Sequence, residues 1–251
     1  MRIRFGYSAD ADDAFMAWGL PGDWEQIVSD VQTLNEWALE ERLEVTALSA
    51  HAYARVRDRY ELLPCGASMG LGYGPVVVAR EPLSRGQLQR SEIVVPGRLT
   101  TAFLVLREYL GGDFLHRELP FDRILEEVVS GRTVAGLVIH EGQLGYPAFG
   151  LEKCVDLGEW WQAETGLPLP LGLVAARSDV DADSVTATLR ASIEAALANR
   201  EEALAFAARY ARGVDDETLD RFVGLYVNEL TLDMGEEGRR AVAELVALVE
   251  A

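Results

Sequence analysis

His140 is the residue in this chain best placed to do chemistry. It follows the apolar run Val134-Ala135-Gly136-Leu137-Val138-Ile139, which has strand length, and it opens the turn-rich segment Glu141-Gly142-Gln143-Leu144-Gly145-Tyr146-Pro147. In sheets built from alternating strands and helices, ligands sit beyond the carboxyl ends of the strands. A histidine there faces a cleft, and its ordinary pKa near 6.5 suits proton abstraction at neutral pH. The competing reading is a histidine that only caps or braces its neighbours. His51 falls in the first turn of a helix, and His116 in a polar strand that reads as an edge.

A second chemical feature is Pro96-Gly97-Arg98-Leu99-Thr100-Thr101, between a strand and a helix. Hydroxyls beside the unpaired N–H groups of a helix start suit a carboxylate or phosphate, although Thr100 or Thr101 can equally be a plain N-cap. Ser8 and Ser49 close two further strands, and Asn35 lies early in a helix. These three are expected to add hydrogen bonds in the cleft, against the simpler reading of local caps.

Three motifs resemble sites without their context. Gly66-Ala67-Ser68-Met69-Gly70 has the spacing of a hydrolase nucleophile elbow, but Gly72, Gly74, Pro75 and a strand follow where that elbow needs a helix. Asp10, Asp12 and Asp13 could clasp a metal, yet a helix start explains acidic residues equally well. Asp179, Asp181 and Asp183 mimic a calcium loop but have Ser184 for the required glycine and Arg190 for the closing glutamate. No metal and no cofactor is expected.

The elements that must position these residues alternate. Strands are expected at 3–7, 25–31, 45–48, 61–64, 75–80, 93–95, 114–119, 134–139, 152–155 and 171–176. Helices are expected at 12–20, 33–41 with Thr33 as N-cap, 50–59, 101–110, 121–130 and 158–165, and from 183 to the end. This βα alternation predicts an α/β fold with parallel sheets and helices on both faces. Polar segments near 80–91 and 175–180 suggest two lobes about a hinge cleft: residues 1–87 with 177–251, and residues 88–176.

Composition narrows the function. The net charge is −18, with 41 acidic against 23 basic residues, which disfavours nucleic acid, a polyanion that needs a basic face. No apolar run is long enough for a membrane-spanning helix. Residues 1–8 read as a strand with no signal segment, so a cytoplasmic enzyme acting on a small molecule is expected. Cys65 and Cys154 make no disulfide framework and read as buried thiols.

Several segments, in order along nearly the whole chain, resemble the 1,4-dihydroxy-6-naphthoate synthase family of the futalosine route to menaquinone. They include Asp30-Val31-Gln32-Thr33-Leu34-Asn35-Glu36-Trp37, Leu48-Ser49-Ala50-His51-Ala52-Tyr53 and Gly70-Leu71-Gly72-Tyr73-Gly74-Pro75. In the second half they are Val95-Pro96-Gly97-Arg98-Leu99-Thr100-Thr101, Leu137-Val138-Ile139-His140-Glu141, Thr165-Gly166-Leu167-Pro168-Leu169-Pro170 and Tyr226-Val227-Asn228. The resemblance implies a type II periplasmic-binding-protein-like fold. It implies a lyase-type reaction on cyclic dehypoxanthinyl futalosine, an aryl carboxylate. His140 then inherits the role of base, and Ser8, Asn35, Ser49, Thr100 and Thr101 those of cleft residues. Chorismate dehydratase, of the same fold and pathway, and a non-catalytic solute-binding protein are the alternatives. The stretch Leu167–Gly172, where the dehydratase has aromatic residues, favours the synthase. One departure stands out. The family pattern Ser-Pro-Cys-Pro-Asn-Asp-Thr after the first strand is here Ser8-Ala9-Asp10-Ala11-Asp12-Asp13-Ala14, which adds Asp10 to the cleft.

Overall fold

Short, almost wholly apolar runs form the central strands, as expected where both faces of a sheet are covered. In the computed structural model, which describes residues 2–211 and 214–250, eleven strands form two sheets. They are β1 (Arg4–Ser8), β2 (Glu25–Ser29), β3 (Val45–Ser49), β4 (Tyr60–Leu62), β5 (Ser68–Gly70) and β6 (Val76–Ala79), followed by β7 (Ile93–Val95), β8 (His116–Glu118), β9 (Ala135–Val138), β10 (Glu152–Asp156) and β11 (Leu169–Arg177). The first sheet runs β2-β1-β3-β11-β4, with β5 also paired to β11; the second runs β10-β6-β9-β7-β8.

Both sheets are mixed, not parallel throughout. β1 is parallel to β2 and β3, and β7 to β8 and β9. β11 runs antiparallel to β3, β4 and β5, and β6 antiparallel to β9 and β10. These antiparallel strands carry the chain between the sheets. β6, placed with the first lobe by the sequence reading, pairs in the second sheet. β11, the strand expected at 171–176 beside the lobe boundary, pairs in the first. The passages therefore fall after β5 and before β11. The polar segment at 81–91 is a loop and a short helix, Arg85–Leu88, beside the second sheet.

Local chemistry sets the helix ends. Asp30, not Thr33, caps the helix Val31–Leu39 by accepting from the Thr33 N–H at 3.0 Å. Thr100 caps Thr101–Leu110 by accepting from Phe103 N–H at 3.1 Å, and Gly166 closes Leu157–Thr165 at φ +70°. The helix after β3 is shorter than expected, Ala50–Tyr53. The C-terminal third is helical, with Ala182–Ala198, Arg200–Ala207, Asp216–Tyr226 and Gly235–Glu250.

The core joins the halves. Leu48 and Leu173 of the first sheet and Val77, Ile93 and Leu137 of the second share one apolar cluster with Trp161. The glycine-rich stretch serves this junction. A Cβ on Gly158 would lie 2.1 Å from the Tyr73 carbonyl, and one on Gly70 2.0 Å from the same oxygen. Backbone approaches backbone there, so no side chain fits. No described helix is long and apolar enough to cross a membrane.

Candidate active site

A cleft takes its walls from residues beside both sheets, mostly apolar with a few convergent polar groups, the kind of lining that receives a small organic ligand. Ser8, at the end of β1, and Ser49, at the end of β3, line it. Thr100, Thr101 and Ala102, at a helix start, and His140, just beyond β9, line it as well. The strand-end rule thus brings five of the six expected residues to one place. Asn35 does not line the cavity. It is fully buried behind Ser49, accepting from the Ser49 N–H at 2.8 Å and donating to the Ser49 hydroxyl at 3.1 Å. Its role is to hold the serine.

His140 adopts φ +56°, left-handed backbone that costs a non-glycine residue about 1–3 kcal/mol. Three contacts hold it there. Gln143 accepts from the His140 backbone N–H at 3.1 Å, with its amide nitrogen turned to the Tyr226 hydroxyl and the Gly74 carbonyl, each at 2.6 Å. This is the orientation that keeps two oxygens, those of the amide and of Gly74, from facing each other. The Phe121 ring packs edge-on against the imidazole, centroids 4.5 Å apart. Nδ1 of the imidazole lies 2.6 Å from Oδ2 of Asp10, which comes from the other sheet.

Asp10 belongs to a crowded acidic group. Ser68 donates to Asp12 Oδ2 at 2.7 Å, the Ser8 N–H donates to Asp13 Oδ2 at 2.8 Å, and the Asp13 N–H donates to Asp10 Oδ1 at 3.3 Å. Glu141 reaches across to accept from the Ala11 N–H at 2.9 Å. Burial raises the pKa of Asp10 and of Asp13 well above the usual range; the charges of Asp12 and Glu141 add to this at Asp10, and those of Asp10 and Asp12 at Asp13. Burial raises Glu141 too. Oxygens of Asp10, Asp12 and Asp13 come within 4.8 Å of one another, but most of them already accept from protein donors. Asp12 Oδ1 is buried without a hydrogen bond.

The helix start at Thr101 works differently from the expectation. The Thr100 hydroxyl donates to the Gly97 carbonyl at 2.8 Å. The Thr101 hydroxyl donates to the Leu171 carbonyl at 3.0 Å and accepts from the His51 N–H at 3.3 Å. Both hydroxyls are spent within the protein, which leaves the backbone N–H groups of Thr101 and Ala102, at the helix start, as the candidate donors to an anion. His51 supports this corner, its Nδ1 3.2 Å from the Thr100 carbonyl. Burial, followed by the Arg55 charge, lowers its pKa to about 4 and keeps it neutral. His116 packs against Phe103 and Phe114, outside the cavity.

Several cavity residues escaped the sequence reading. Tyr226 enters from the C-terminal helices, and burial holds its phenol neutral. Ser68, weighed only as a nucleophile, is a donor to Asp12. Gln143 sits three residues past His140, a spacing that signals nothing until the turn is seen.

A family model described as Menaquinone biosynthesis matches residues 3–251. A 1,4-dihydroxy-6-naphthoate synthase of Thermus thermophilus is 46% identical over 99% of this chain and 94% of its own length. A Streptomyces coelicolor protein of the same name is 36% identical over 97% and 91%. A crystal structure of an Archaeoglobus fulgidus protein superposes with TM-score 0.94 at 43% identity, covering 99% of this chain and 96% of the other. A Candida albicans protein, described as having the generic periplasmic binding protein fold, superposes with TM-score 0.70 at 11% identity, over 100% and 90%. The fold is therefore the two-lobed periplasmic-binding-protein type, and this chain belongs to the menaquinone biosynthesis family.

Proposed function

We propose that this chain is a cytoplasmic 1,4-dihydroxy-6-naphthoate synthase that opens cyclic dehypoxanthinyl futalosine, with His140 as general base. The observation that carries the reading is one imidazole, fixed in a left-handed turn and lining the same cavity as the start of a helix. The N–H groups of Thr101 and Ala102 hold the aryl carboxylate, helped by the positive end of the ten-residue helix Thr101–Leu110. His140 then removes a proton made acidic by a neighbouring carbonyl, and loss of the sugar-derived portion leaves the naphthoate. Asp12 Oδ1, a buried acceptor in the wall, meets a hydroxyl of that portion. Residues 8, 49 and 68 complete the polar lining, and Leu48, Leu171 and Phe222 the apolar faces.

The test is a direct assay of the purified chain with cyclic dehypoxanthinyl futalosine, following the naphthoate chromophore, with chorismate as the parallel substrate. Formation of the chromophore, and its loss by a factor of about 10²–10⁴ in His140→Gln, is the expected result. Dehydration of chorismate with no chromophore would reassign the chain to the sister reaction.

A further inference from the structure

We infer that Asp10 is the positioning residue of the base: its carboxylate holds His140 with the ring proton on Nδ1, so that Nε2 is the nitrogen that accepts the substrate proton. The inference rests on His140 being the base and adds what makes it one. A neutral imidazole carries its proton on either nitrogen, and the choice follows the hydrogen bond made by the other. Here Asp10 Oδ2 lies 2.6 Å from Nδ1, the length of a strong charge-assisted bond. Both partners are held. Asp10 is 4% exposed and caps its helix through the Asp13 N–H. The imidazole is wedged against Phe121, and its backbone is tied to Gln143.

The crowding of carboxylates gives the alternative that must be beaten. The titratable or charged groups facing the pair are Asp12 and Asp13 from the helix of Asp10, Glu141 beside the histidine, Asp122 beside Phe121, and Tyr226 across Gln143. Four acids this close, three of them buried, do not all ionise together. Were Asp10 the protonated one, it would donate to Nδ1 and leave Nε2–H, a donor unable to act as base. Asp10 touches the ring directly, so a negative charge there gains most from Nδ1–H, and the cluster's proton settles on a neighbour such as Asp13. The departure at Asp10 from the family pattern, where cysteine stands, thus places a carboxylate against the Nδ1 side of the imidazole.

The tautomer is read without substrate from the ¹⁵N shifts of the imidazoles, of which the chain has three. Wild type is expected to show His140 protonated on Nδ1, and Asp10→Asn a mixture or the Nε2–H form. With cyclic dehypoxanthinyl futalosine, Asp10→Asn is expected to lower kcat by about 10²–10⁴-fold. Losing the carboxylate makes the imidazole less basic, so the acid limb of kcat/KM moves to lower pH, by about one to three units. Asp10→Glu restores part of the rate. Three results would each overturn the assignment: an Nε2–H tautomer in wild type, a folded Asp10→Asn chain with unchanged rate and pH limb, or lost activity with limb and tautomer unmoved. If Asp10→Asn does not fold, the wild-type tautomer alone decides. A His140→Gln chain that keeps full turnover would instead remove the base itself, while the tautomer measurement still reports on the pair.

Discussion

Replacing Thr101 by valine keeps the shape of the side chain and removes one oxygen. That oxygen is 98% buried with its residue and serves two partners from the other half of the fold, the Leu171 carbonyl at 3.0 Å and the His51 N–H at 3.3 Å. The His51 N–H lies in buried surroundings, so abandoning it costs about 1–3 kcal/mol. Leu171 is only partly buried, so the loss at its carbonyl is placed near the lower end of that range. The sum is about 2–4 kcal/mol. For a chain of this length each kcal/mol moves the unfolding temperature by about 2–4 °C, so Thr101→Val is expected to melt roughly 5–15 °C below wild type. Thr101→Ser keeps the oxygen and loses a methyl group, so it reports the methyl alone, while Thr101→Val keeps that methyl and reports the hydroxyl. Calorimetry or circular dichroism on both, with binding of a naphthoate carboxylate measured at a temperature where both are folded, completes the test. Equal melting temperatures for valine and serine would refute the stitching role. Much weaker carboxylate binding in a folded valine variant would show the hydroxyl, not the backbone, to be the anchor.

Three further outcomes are expected. Gly158→Ala sets a methyl group 2.1 Å from the Tyr73 carbonyl with only backbone to yield, so chemical denaturation should show a loss of at least about 1–3 kcal/mol. Asp13 and Glu141 have raised pKa values in the folded state; the native chain therefore keeps protons that the unfolded chain releases, and stability falls as pH rises from the ordinary carboxylate range through those raised values. Asp13→Asn should flatten that fall in urea titrations taken at several pH values, and an unchanged slope would count against the buried cluster. Tyr226→Phe removes one of the two partners of the Gln143 amide nitrogen, at 2.6 Å, and loosens the amide that holds the His140 backbone. Turnover should drop by about tenfold or more, with less than about 2 kcal/mol lost in stability, whereas full activity would detach Gln143 from the base.

The strand-end rule is local, and for that reason it located Ser8, Ser49, Thr100, Thr101 and His140 from sequence: each needs only a strand or helix boundary to be recognised. Asn35 shows the limit. Its position in a helix was legible, but the turn of its amide back onto Ser49 depends on a strand fourteen residues away in sequence. The same holds for sheet membership. Val76–Ala79 reads as a buried strand in either lobe, and only pairing with β9 and β10 decides which. The Asp10–Asp13 segment was legible as a helix start and is one. That its first carboxylate also meets a histidine 130 positions later is a long-range fact no local pattern carries.

In a transport protein of this architecture, the meeting of the two halves amounts to a grip. Here the imidazole hangs from one half and its carboxylate partner from the other, so if His140 is the base, as proposed above, the approach that encloses a ligand also readies the reagent, and parting the halves takes the two side chains out of reach of each other.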